Sequence, residues 1–325
     1  CSGPMLGHYY NERAANSVGN KQDYVMHSMD FEEFLWAKGY KESQIEDLYT
    51  CMKECRTLTT AQYDVMMKNF KDYMILGGMP AIVARYIANK NFSGILDMQE
   101  QILKDYEEDI SKYANGLDKI RILNAYRKIT VFLGNENKKF QVSKLADGAR
   151  NREYRGVSDW LSDAGIVNIS YCMEDCALPL KGNYNPDNYR LYFADTGLLI
   201  ASLDDEAQDD LRKNQNFNTY KGAIYENIIG DMLVKEGYDL FFYKNEKGNV
   251  EMDFFIRDRN SLIPVEVKAN DNSTVSLNYL IDSDKYKDIK YGIKLCNKNI
   301  GFNGKFYTFP YFMAFLLKRY LRETK

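Results

Sequence analysis

Four side chains between residues 226 and 268 have the types and spacing to handle a phosphate. Asp253 lies in the run V-E-M-D-F-F-I, Glu266 and Lys268 in I-P-V-E-V-K, and Glu226 in the preceding run GAIYENIIGDMLVKEGY. The two later runs are rich in β-branched and aromatic residues, and D-R-N-S between them is turn material, so they read as a hairpin. Side chains alternate along a strand, which puts Glu266 with Lys268 on one face, Val265 with Val267 on the other, and Glu251, Asp253 and Phe255 together on the first strand. If Asp253 and Glu266 lie on the same side, two carboxylates and an ammonium converge.

A hard divalent cation such as Mg2+ (or Mn2+) takes oxygen ligands and keeps several waters, so one or two carboxylates suffice to hold it against a phosphate. Asp253 and Glu266 are the candidate metal ligands. Lys268 would orient or deprotonate a metal-bound water and stabilise charge on the phosphate, with Glu226 as a further catalytic group holding the water network or the metal. The competing reading is a solvated ion-pair lattice, which contributes little. Against it, the flanks are almost wholly apolar, and burying charge without a partner is costly.

The elements that position these groups make up an α/β unit. A helix carries Glu226, the runs DLFFYKN, NVEMDFFIRD and SLIPVEVKAN are strands, and YGIKLC and KFYTFPYFM supply a further strand and a final helix. Before it, RILNAYRKITVFLG reads as a helix, KKFQVSKLADGA as a short strand turn leading into a second helix and NREYRGVSDWLSDAGIV as a third, and NISYCMEDCALPL alternates like a hairpin. Three helices and a β-wing are the order of a winged helix-turn-helix. Its third helix would be the recognition element, with Lys144, Arg150, Arg152 and Arg155 as candidate nucleic-acid contacts. Glu153, Asp159 and Asp163 in the same stretch leave a protein-binding role open. From about Asp30 to Ile110 the pattern is helical throughout, with Gly77-Gly78 and Pro80 as stop and start signals.

The 325 residues carry a formal net charge of −3, so nucleic acid would have to be gripped by a local basic patch. YMILGGMPAIVARYI contains Arg85 and FYTFPYFMAFLL is too short to span a bilayer, so no membrane is expected. The N-terminal residues lack the basic start and apolar run of a signal peptide, which leads to a cytoplasmic reading. Six cysteines include Cys51, Cys55, Cys172 and Cys176, but three residues separate each pair where zinc sites usually have two.

The order Glu226, Asp253, Glu266-Val267-Lys268 resembles the PD-(D/E)xK nuclease superfamily, with Met252 in place of the leading proline. The resemblance implies that the carboxylates bind magnesium and that the lysine assists the attacking water. More broadly, CSGPMLG, MDFEEFLWA, LGGMPAIVARYI, KYANG, FQVSKLADGARNREYRGVSDWLSDAGIV, LYFADTGLLIASL, YKGAIYENIIGDML, EMDFFI and PVEVKA, in that order, resemble the C-terminal two-thirds of a prokaryotic AAA-type ATPase family. On that resemblance the chain is a multidomain α and α/β protein. Residues 1–40 are a remnant of the ATPase core, 41–116 a helical lid-like subdomain carrying Arg85, 117–205 the winged helix-turn-helix and 206–325 the nuclease-like domain.

Neither the loop G-x-x-x-x-G-K-[ST] nor an acidic magnesium strand occurs in these residues. ATP binding is therefore not expected of this chain, and Ser2 is at most a remnant of a γ-phosphate sensor. Isothermal titration with ATP and magnesium is expected to give no heat of binding; a micromolar site would overturn that expectation. The expected partners are nucleic acid, DNA ahead of RNA, and further copies of the chain through the ATPase part. Three functions stay open: a metal-dependent nuclease, a non-catalytic DNA- or protein-binding scaffold, and an assembly module of ATPase protomers.

Overall fold

A computed structural model describes residues 22, 24–114, 116–134, 139–141, 144–145, 154, 156–204, 206–213, 215, 220–269 and 274–324. Helices come first, each with a local reason to start. Helix α1 (Phe31–Ala37) begins at a capping box of Asp30 and Glu33, and α2 (Glu42–Lys53) follows. Helix α3 (Thr60–Leu76) has the Thr59/Gln62 capping box and ends at Gly77, whose φ of 71° favours glycine. Pro80 opens α4 (Pro80–Asn89), and α5 (Ile95–Tyr113) completes the group. Phe31 of α1 packs edge-on against Phe70 of α3 and against Phe315 near the C-terminus. The first helix thus fastens the helical unit to the last segment of the chain, across the boundary expected at residue 40.

Helices α6 (Gly116–Gly134) and α7 (Val157–Asp163) lead into β1 (Val167–Met173) and β2 (Tyr184–Phe193). Most of the second helix of the expected winged unit, and Arg150, Arg152 and Arg155, lie outside the described residues. Lys144 is exposed, and its carbonyl accepts from Lys128 Nζ at 2.7 Å. One expectation is corrected here. The hairpin read in NISYCMEDCALPL does not close on itself, because β1 pairs antiparallel with β2, ten residues further on. In the connection the Asn183 side chain binds both backbone groups of Asp175, accepting from its N–H and donating to its carbonyl, and Pro179 has no N–H to give a ladder.

After α8 (Thr196–Ala201) and α9 (Ala207–Lys213), α10 (Tyr220–Lys235) introduces β3 (Leu240–Lys244), β4 (Glu251–Met252), β5 (Phe254–Asp258) and β6 (Ser261–Val267). Helix α11 (Val275–Asp282), β7 (Gly292–Cys296), β8 (Gly301–Phe302), β9 (Phe306–Pro310) and α12 (Leu317–Thr324) finish the chain. Two mixed sheets result, ordered β2-β1-β3-β4 and β5-β6-β7-β9-β8. In the first, β1 runs parallel to β3, so the 167–193 hairpin and the C-terminal α/β region share one sheet. In the second, β6, β7 and β9 are parallel. Apolar residues of α10 join Ile263, Val265 and Val267 in the larger core, while Leu277 and Leu280 of α11 join Phe255 and Leu262 in a smaller one. The sheet is covered on both faces.

Polar groups tie these layers together. Asp195 caps α8, accepting from Gly197 and Leu198, and its second oxygen accepts from Gly78 N at 2.7 Å and from Ser28 Oγ at 3.1 Å. Asn227 of α10 exchanges bonds with both backbone groups of Phe193. Lys235 of α10 is buried against Asp231 at 2.8 Å and donates to Met29 O and Tyr73 Oη.

Candidate active site

The hairpin expected from sequence forms with a tight turn at Arg259 and Asn260, Asp258 pairing with Ser261 and Phe254 with Val265. Asp253, at the bend before Phe254, and Glu266, just after Val265, flank that last pair, so both belong to the same end of the hairpin. Asp253 Oδ2 accepts from Val267 N at 2.8 Å, which fixes the carboxylate over the start of the E-V-K segment. Lys268 Nζ lies 2.9 Å from Glu266 Oε1. Its backbone is held from both sides, its N–H donating to Leu295 O at 3.0 Å and its carbonyl accepting from Tyr311 Oη.

The first strand differs from the expectation of one continuous face. Asp253 interrupts it: β4 pairs with β3 and β5 with β6. Met252 and Phe255 both enter the smaller core, so Glu251 and Phe255 point to opposite sides. The bend takes up one residue because the strand changes partners there, leaving one sheet and entering the other.

Around this bend gather groups that the E-x-K spacing alone did not point to. Arg190 of β2, 1% exposed, lies with Nη1 3.6 Å from Glu226 Oε2, makes an ion pair with Glu251, and stacks 4.0 Å from the ring centre of Phe242. Glu226 also accepts from Tyr192 Oη at 3.4 Å, and Lys244 Nζ lies 2.9 Å from the other oxygen of Glu251. Lys294 of β7 is buried and stands beside Glu266 in the parallel ladder. The signal for Arg190 was a single arginine inside the apolar strand YRLYF, a residue type that is buried only with partners. Glu226 is therefore placed in the cluster, but beside Arg190 and Tyr192.

Charge and burial act together on these groups. Burial pushes the Glu266 carboxyl up, and Lys268 and Lys294 offset part of that rise. For Lys268 burial works to lower the value, but Glu266, Asp253 and Glu226 outweigh it and hold it above the ordinary lysine range. At neutral pH it is an ammonium, which favours charge stabilisation over proton abstraction from water. Burial likewise opposes the charge on Arg190, and Tyr192, Glu226, Glu251 and Asp253 more than restore it.

Glu266, 3% exposed, has one oxygen, Oε2, that is buried and makes no hydrogen bond. Such an atom is costly unless something meets it. Together with Asp253, whose carboxylate is bound by the neighbouring Val267 N, it has the oxygen chemistry a hard cation takes. Among the described residues no group of three or more His, Cys, Asp or Glu side chains is drawn close enough to form a metal cage.

Residues 67–209 match a domain of unknown function, DUF8612. Residues 221–312 match another, DUF4143, which is often found with AAA ATPases. No curated protein and no solved structure matches the chain. Glu226, Glu251, Asp253, Glu266, Lys268 and Lys294 all lie in the DUF4143 match, whereas Arg190 lies in the DUF8612 match. The candidate site is assembled from both. Among the described residues no helix is long and apolar enough to cross a membrane.

Proposed function

We propose that the DUF4143 region is a PD-(D/E)xK-like centre that hydrolyses phosphodiesters of nucleic acid with Mg2+ or Mn2+, in a chain that is the C-terminal portion of an AAA-type ATPase. The observation that carries this reading is the end of the hairpin: Asp253 Oδ2 bound by Val267 N at 2.8 Å, Lys268 Nζ 2.9 Å from Glu266, and a buried Glu266 oxygen without a hydrogen bond. Asp253 and Glu266 would hold the cation, which supplies a more acidic bound water and a neutralising charge beside the phosphate. Lys268, an ammonium fixed by its ion pair, stabilises negative charge growing on the phosphate oxygens. Glu226 acts one step back, holding Arg190 in place. The helix–hairpin unit ahead of the site, read as a winged helix-turn-helix, presents DNA or RNA to it.

The test is incubation of the purified chain with labelled single- and double-stranded DNA and RNA, with Mn2+, Mg2+ or chelator. Cleavage is expected to need metal and to fall about 10²–10³-fold in Lys268→Ala, the scale of losing one transition-state charge contact. Undiminished cleavage in Lys268→Ala, Asp253→Asn and Glu266→Gln would overturn the assignment. A second reading, a non-catalytic scaffold that binds DNA or protein and joins ATPase protomers, is favoured by one observation: Glu226 and Glu251 already have a cation between them, the Arg190 guanidinium. It expects equal nucleic-acid binding and no cleavage in both forms.

A further inference from the structure

Among the described residues the carboxylates at the bend include Glu226, Glu251, Asp253 and Glu266, and the cations facing them include Arg190, Lys244, Lys268 and Lys294. Arg190 differs from the lysines in where it comes from. It belongs to β2, at the far edge of the four-stranded sheet, opposite Ser170 of β1. Its side chain crosses the face of β1 and β3, over the Phe242 ring, to meet Glu251 of β4 and Glu226 of α10. It is fully buried there, yet its Nε and Nη1 make no hydrogen bond. A guanidinium placed for its hydrogen-bonding fork would use those nitrogens. Here Nη2 donates to Glu251, and toward Glu226 the guanidinium acts through charge, in the position from which a cation neutralises the acids around the bend.

We propose that Arg190 is a built-in cation that competes with a divalent metal for the carboxylates of this site, so that the 167–193 hairpin sets how tightly the DUF4143 region takes metal. The proposal rests on the metal-dependent reading above for its functional meaning, but not for its test. Removing the guanidinium charge leaves a buried excess of carboxylate, which a divalent cation relieves; moving the hairpin away would do the same. Arg190 is a positioning residue here, acting through Glu226 and Glu251.

The experiment is Mn2+ binding to the whole chain, followed by calorimetry and by the melting temperature, in wild type, Arg190→Gln, Arg190→Lys and the double variant Arg190→Gln/Asp253→Asn. Arg190→Gln is expected to bind Mn2+ at least about tenfold more tightly than wild type and to gain more in melting temperature from it, as loss of a nearby like charge dictates. Arg190→Lys keeps the charge and is expected to match wild type, and Asp253→Asn is expected to cancel the gain. If Arg190→Gln is unfolded in chelator, Mn2+ is expected to refold it; a variant that stays unfolded with Mn2+ overturns the proposal. Equal affinity in wild type and Arg190→Gln also overturns it, as does equal tightening in Arg190→Lys, which would mean loosened packing rather than lost charge.

The two readings fail separately. Wild type that binds Mn2+ through Asp253 with no gain in Arg190→Gln removes this proposal and leaves the nuclease reading standing. Wild type that takes no Mn2+ while Arg190→Gln does supports the built-in cation and removes metal-dependent cleavage by the chain as it stands. No binding in either overturns both.

Discussion

Lys235→Met is expected to cost about 3–5 kcal/mol of folding stability, because it leaves a buried carboxylate without its partner. Lys235 and Asp231 are both almost wholly buried, 2.8 Å apart, one turn from each other on α10. The ammonium also donates to Met29 O and Tyr73 Oη, so its loss frees acceptors in the segment that enters α1 and in α3. Burial pushes Asp231 up to about 7 even with Lys235 beside it. A carboxyl raised above its unfolded value adds stability at low pH and loses that contribution as pH rises through the folded value. Without Lys235 the buried Asp231 carboxyl is raised further still, so the deficit of Lys235→Met is expected to be larger at pH ~9 than at pH ~5, where Asp231 is protonated in both proteins. Urea unfolding at the two pH values checks this, and a deficit that grows on acidification would rule it out. Asp231→Asn/Lys235→Met together is expected to recover much of the loss.

Asp195→Ala is expected to cost about 2–4 kcal/mol, the sum of a helix cap and of a buried N–H left unmet. Its carboxylate satisfies Gly197, Leu198 and Gly78, three backbone donors from two parts of the chain. Gly77 permits this closeness: a Cβ there would stand 1.8 Å from Asp195 Oδ1. Gly77→Ala should thus be as damaging as Asp195→Ala. Gly39 supplies the comparison, since it too has a positive φ of 90° but open space around its Cβ position. Gly39→Ala carries only the backbone strain, about 1–2 kcal/mol. Thermal unfolding of the three variants checks the order, and equal losses at Gly39 and Gly77 would show that the Asp195 contact carries little.

Local chemistry is what the sequence displayed well. Capping residues, Gly77 and Pro80 delimit α3 and α4 as expected, and the D-R-N-S turn sets the register of the hairpin up to Phe254 and Val265, next to Asp253 and Glu266. What escaped is set by partners far along the chain. The break at Asp253 carries no glycine or proline; it exists because β4 and β5 answer to different sheets. The strand paired with β1 begins at Tyr184 rather than within CALPL, since alternation in C-M-E-D-C mimics a strand where the chain is in fact turning back. Arg190 had no motif around it, and only the β1–β3 pairing shows that it faces Glu226 and Glu251.

That parallel pairing also orders events during synthesis. Ser170, Tyr171 and Cys172 meet Leu240, Phe241 and Phe242 some seventy residues later. Until the ribosome has released the chain through β3, the inner strand of the hairpin offers an unpaired edge, and Arg190 has no acid to meet. Non-local closure of this kind is slow, and exposed edges invite wrong neighbours. The N-terminal half therefore waits for the C-terminal half before either is finished, and a nascent chain stalled between residues 193 and 240 is the form most in need of a chaperone.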